Sequence, residues 1–130
     1  MVAVSGVSSR QCRPLKMEAV SPGNLILLLY EGAIRFSQEA KESLDRGDLE
    51  GKRQYIQKAR DAVFELQKSL NLETGGDIAS ALDKLYSFVL AQLNEADRSN
   101  DYRPLDLVTT ILNRLEDAWS QIIENPAAVA

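Results

Sequence analysis

Apolar residues recur along the chain in four blocks at steps of three and four, the period of helices that bury one face. In the first block Ile26, Leu29, Ala33, Phe36 and Ala40 form a seam. Ser21-Pro22 marks its start, because a serine hydroxyl accepts from an early backbone N–H and proline at the first helical position loses no hydrogen bond. This helix is predicted to run to about Arg46, with Gly47 supplying a left-handed cap. Asp48 then caps a second helix to about Leu70, with a stripe of Leu49, Ile56, Ala59, Val63, Leu66 and Leu70. Asn71 to Gly76 breaks the pattern, and Asp77 is expected to cap a third helix whose seam is Ile78, Leu82, Leu85, Val89, Leu93 and Ala96. Ser99 to Arg103 turns the chain, and Pro104 opens a fourth helix carrying Leu105, Val108, Leu112, Leu115, Trp119 and Ile122 as far as about Glu124.

Four helices of similar length joined by short connections predict an all-α fold, an antiparallel up-down-up-down four-helix bundle over residues 21–125. Residues 1–20 are small and polar without an apolar period, and are expected to form a flexible N-terminal arm; residues 126–130 are a short tail. No segment alternates with the period of a strand.

Several helices hold more apolar residues than one inward stripe uses. Beside the first seam, Leu25, Leu28 and Gly32 make a second stripe, and Leu27, Tyr30 and Ile34 a third. The third helix adds Tyr86, Leu90 and Phe88, and the fourth Leu107, Ile111 and Ala118. Each large aliphatic side chain left in water forgoes about 1.5–3 kcal/mol of burial, so something should cover this surface. A wide stripe that serves two neighbouring helices accounts for part of it, and Trp119 reads best as a core anchor. The surplus nominates Leu25, Leu28, Ile34, Tyr86, Leu90, Leu107 and Ile111 as partner contacts.

Composition narrows the partner. The 15 basic and 19 acidic residues are interspersed and sum to a formal charge of -4, without the clustered basic surface that nucleic acid requires. The longest apolar run, Leu25 to Tyr30, is far short of a membrane span. Arg10, Arg13 and Lys16 follow the early apolar residues instead of preceding them, the wrong order for a signal peptide. The single cysteine, Cys12, allows no internal disulfide and fits a cytoplasmic location.

Histidine is absent, which removes the commonest general base and metal ligand and every Ser-His or Cys-His nucleophile. Gly75-Gly76 follows no strand and precedes no Gly-Lys-Ser/Thr, so it is no phosphate loop. The expectation is a binding protein with no enzymatic activity, no metal and no cofactor.

The run Ser21-Pro22-Gly23-Asn24-Leu25-Ile26-Leu27-Leu28-Leu29-Tyr30-Glu31-Gly32-Ala33-Ile34-Arg35-Phe36 resembles the opening signature of the flagellar secretion chaperones that bind flagellin. The likeness continues through Lys58-Ala59, Glu65-Leu66, Ser69-Leu70-Asn71, Gly75-Gly76-Asp77-Ile78-Ala79, Leu85-Tyr86 and Asn113-Arg114-Leu115-Glu116-Asp117-Ala118-Trp119. It departs in the arm, where relatives usually carry an aromatic and this chain has Arg10-Gln11-Cys12-Arg13, and at Glu116, where they often carry arginine. The resemblance implies a helical bundle that binds the disordered C-terminal segment of flagellin in the cytoplasm. There it would prevent premature polymerisation and keep flagellin competent for the flagellar type III export apparatus. The chain itself is expected to be a monomer or weak homodimer. The alternative is a self-associating structural or adaptor bundle that covers the same surface with a second copy.

Overall fold

A computed structural model describes residues 21–124; the expected arm, with Cys12, and the tail from residue 126 lie outside the described residues. The described chain forms four helices: α1 (Pro22–Asp45), α2 (Leu49–Lys68), α3 (Gly76–Ser99) and α4 (Arg103–Glu124). Local chemistry sets their ends. The Ser21 hydroxyl accepts from the Asn24 N–H at 3.2 Å, and Gly47 beyond the C-cap of α1 adopts φ +76°, a conformation that favours glycine. Asp48 caps α2 by accepting from the Gly51 N–H at 2.9 Å. Asn100 ends α3 in the left-handed region at φ 53°, and the Asp101 carboxylate accepts from the Arg103 N–H at 2.9 Å where α4 begins.

The start of α3 differs from expectation. Gly75 holds the cap position without a side-chain bond, and Asp77 lies inside the first turn. There its carboxylate faces the positive end of the helix dipole instead of bonding a backbone N–H.

Each helix packs on the next, and α4 returns to α1, so the four close into a ring. Cross-links fix the antiparallel directions. Gln67 on α2 donates to the Asp83 carboxylate and Ser87 hydroxyl on α3, while Lys52, a turn into α2, pairs with Asp97 near the end of α3. Lys41 late in α1 pairs with Asp106 early in α4, and Trp119 late in α4 bonds Gly23 at the start of α1.

The core runs through Tyr30, Ala33, Ile34 and Ala40 of α1, Ile56, Ala59, Val63 and Leu66 of α2, Tyr86, Val89, Leu93 and Ala96 of α3, and Leu105, Val108 and Leu112 of α4. Two positions expected in seams are exposed, Leu49 and Ile78. Both belong to the first turn of their helix, where the neighbouring helices do not cover the side chain.

The α1 seam is also rotated from its expected line. Tyr30, Ala33, Ile34, Ser37 and Ala40 point inward, while Ile26, Leu29 and Phe36 pack half-buried at its edge. Ser37 fits the interior because its hydroxyl donates to the Ala33 carbonyl of its own helix at 2.8 Å.

Candidate functional site

Where the N-terminus of α1 meets the α2–α3 connection, α3 and the C-terminal half of α4, the helices leave an apolar cleft of about 430 Å³. Leu25, Ile26, Leu70, Leu82 and Trp119 form its walls, and Tyr30 and Tyr86 its floor. The cleft exists because the bundle loosens here. Leu105, Val108 and Leu112 of α4 are fully enclosed, whereas Leu115, Trp119 and Ile122 further along the same stripe are only half-buried.

The two floor tyrosines meet across the bundle diagonal, hydroxyl to hydroxyl at 2.5 Å. Burial raises both phenols above their ordinary range, so both keep their protons near neutral pH. Trp119 closes the opposite wall, its indole N–H donating to the Gly23 carbonyl at 3.0 Å. A Cβ on Gly23 would lie 3.2 Å from Ile123 side-chain atoms, so glycine at this place in the opening signature admits the end of α4.

Two further apolar surfaces stand open. Leu25 and Leu28 rise from the first two turns of α1, with Leu28 44% exposed. The second surface follows the α3–α4 seam. Asp83 and Ser87 face α2 and Val89 faces the core, so helical periodicity turns Ile78, Leu85 and Phe88 toward α4. Asp106 faces α1 through Lys41 and Val108 faces the core, which likewise turns Leu107 and Ile111 toward α3. Along this strip Ile78 is 75% exposed and Leu107 41%.

The nominated contacts therefore separate. Leu25, Leu28 and Leu107 are exposed, and Leu90 and Ile111 are half-buried against the core. Ile34 and Tyr86 are enclosed, which corrects the expectation that their stripes face outward. The rotated α1 seam takes Ile34 inside, and Tyr86 is drawn in by the Tyr30 hydroxyl, leaving only 3% of its surface in water. The floor role of Tyr86 is legible only in three dimensions, since its partner lies 56 residues away. Period alone puts Ile78 in a core seam; its position in the first turn of α3 is the signal for exposure.

Among the described residues no group of three or more His, Cys, Asp or Glu side chains converges as a metal would require. No described helix is long and apolar enough to cross a membrane. What the site offers is shape and apolar surface with a few hydrogen-bonding groups, which suits the reception of amphipathic chain segments.

A family model described as flagellar protein FliS matches residues 8–126. The chain is 36% identical over 107 residues to the flagellar secretion chaperone FliS of Vibrio cholerae, covering 82% of this chain and 79% of that protein. Against the flagellar secretion chaperone FliS of Campylobacter jejuni the identity is 35%, over 81% of this chain and 82% of the relative. Against the flagellar secretion chaperone FliSB of Pseudomonas aeruginosa it is 32%, over 87% and 93%. A crystal structure of a flagellar chaperone from bacteria shares the fold, with a TM-score of 0.75 at 21% identity over 85% of this chain and 89% of that one.

Proposed function

The chain belongs to the FliS family of flagellar secretion chaperones, and from that membership we propose that it binds the disordered C-terminal segment of flagellin in the cytoplasm. Binding withholds the segment from polymerisation and leaves flagellin competent for the flagellar type III export apparatus. The observation that carries this reading is the open apolar surface: a cleft floored by Tyr30 and Tyr86, the Leu25/Leu28 ridge beside it, and the Ile78–Phe88–Leu107–Ile111 strip on α3 and α4.

These surfaces lie on different sides of the bundle, so one compact ligand does not cover them all. A long segment that folds as it wraps the bundle does, burying on the order of 1,000–3,000 Å² against the entropy lost in its ordering. Its apolar residues at helical spacing then supply the burial that the exposed leucines forgo in the free protein.

Isothermal titration of the chain with the C-terminal segment of its flagellin tests the reading. Saturable one-to-one binding is expected, weakened by Leu28→Asp while helicity stays unchanged. Absence of both heat and complex would remove the proposal. A second copy of the chain covering the same strip would instead give a dimer indifferent to flagellin, which sedimentation at rising concentration distinguishes.

A further inference from the structure

The cleft floor carries a hydrogen-bond imbalance that constrains what a bound segment must present. A phenol has one proton to donate and can accept as well. When the Tyr30 and Tyr86 hydroxyls bond each other, one proton is used and the accepting hydroxyl keeps its own. Among the described residues that proton has no protein acceptor, although both tyrosines are only 3% exposed. In the free protein, solvent entering the cleft can meet it. A ligand that fills the cleft and shuts water out must meet it instead, or leave a buried donor unsatisfied.

The other polar groups around the cleft are largely engaged. The Trp119 N–H is held by the Gly23 carbonyl, the Ser69 hydroxyl donates to the Leu66 carbonyl, and the Asn71 side-chain oxygen accepts from the Thr74 N–H. Among the described residues no charged side chain lines the cleft, so a carboxylate entering it would lose its hydration without gaining a cation from them. A side-chain amide would bring two donors of its own into a place short of acceptors. A backbone carbonyl in the last turn of a bound helix has the right chemistry. It is neutral, accepts only, and has no partner within its helix.

We propose that the Tyr30–Tyr86 hydroxyl pair is a specificity element: it selects a segment whose helix ends over the cleft, placing a large apolar side chain against the walls and a free backbone carbonyl on the floor. The inference rests on the flagellin-binding reading and deepens it.

Replacing both tyrosines keeps the shape while removing both hydroxyls, which is nearly neutral for folding, whereas one replacement still leaves a hydroxyl free to donate. Titration of the flagellin C-terminal segment into wild type, Tyr30→Phe, Tyr86→Phe and the double variant therefore has a distinctive expected pattern. Each single variant binds within about twofold of wild type, and the double variant loses about three- to tenfold. Urea midpoints of all four proteins show that the fold is retained. Equal affinity of the double variant and wild type overturns the proposal. Alanine replacement of the segment's Asn and Gln residues one at a time is expected to spare this contact; a replacement that lowers wild-type affinity but not that of the double variant overturns the backbone assignment. Failure of wild type to bind the segment at all would instead defeat the flagellin reading.

Discussion

The indole N–H of Trp119 donates to the carbonyl of Gly23 at 3.0 Å, joining the last turns of α4 to the first turn of α1 across 96 positions of sequence. The bond sits at the loose end of the bundle, where Leu115 and Ile122 beside Trp119 are only half-buried. Trp119→Phe keeps most of the apolar contact and removes the hydrogen bond. It is expected to lower stability by about 0.5–1.5 kcal/mol in urea unfolding followed by circular dichroism. A loss confined to noise would mean that the bond exchanges freely with water.

At the other end, Lys52 is the one charged side chain in the buried set of the described residues, its ammonium 2.6 Å from the Asp97 carboxylate and 2.9 Å from the Asp97 carbonyl. Removing one partner of an enclosed pair leaves the other charge without compensation, while removing the charge itself does not. Asp97→Ala strands the ammonium and is expected to cost about 1–3 kcal/mol, less than for a fully buried pair because the Asp97 side chain is 32% exposed. Lys52→Met should cost less than that. Denaturation midpoints of the two variants give the ordering, and the reverse ordering contradicts this account of the pair.

Most of the bundle was legible from residue spacing. The period of Ile56, Ala59, Val63 and Leu66 located the buried face of α2, and Ser21 and Asp48 located two helix starts. The α1 seam was harder, because apolar side chains surround its first two turns and leave the period degenerate. The choice between Ile34 inside and Phe36 inside falls to the neighbouring helices: Phe36 goes to the edge, where it stacks at 6.3 Å on Tyr55 of α2. The candidate site was half legible. Leu25, Leu28 and Leu107 stand out as surplus in the sequence, but the cleft depends on Tyr30 meeting Tyr86 across the bundle, a pairing that no local pattern encodes.

Glu116 gives the protein a predicted pH dependence. Partial burial, then the carboxylates of Glu31 and Asp117, raise its pKa above the ordinary 4.5. The folded state therefore binds this proton more tightly than the unfolded chain does, and the contribution of Glu116 to stability falls as pH rises from the unfolded value through the raised folded one. Glu116→Gln is expected to stabilise the bundle at neutral pH, with the advantage fading below the ordinary carboxylate pKa. Thermal unfolding of both proteins between pH 3 and pH 7 checks this, and a difference that stays constant with pH contradicts it.

Exposure alone does not define the proposed flagellin-binding surface, and three leucines of similar exposure separate the possibilities. Leu28 is 44% exposed, Leu107 41% and Leu49 47%. Leu28 belongs to the ridge beside the cleft and Leu107 to the α3–α4 strip, whereas Leu49 opens α2 at the end of the bundle away from the cleft. If the segment wraps both apolar faces, Leu28→Asp and Leu107→Asp should each weaken it by about tenfold, roughly 1.4 kcal/mol. Leu49→Asp should then leave the affinity unchanged, because a charge there lies away from both proposed contact faces. All three replacements put the carboxylate in water, so helicity and melting temperature should stay near those of the parent. Equal weakening by all three would point to general loss of stickiness in place of a shaped site, and an effect at Leu28 without one at Leu107 would confine binding to the cleft end of the bundle.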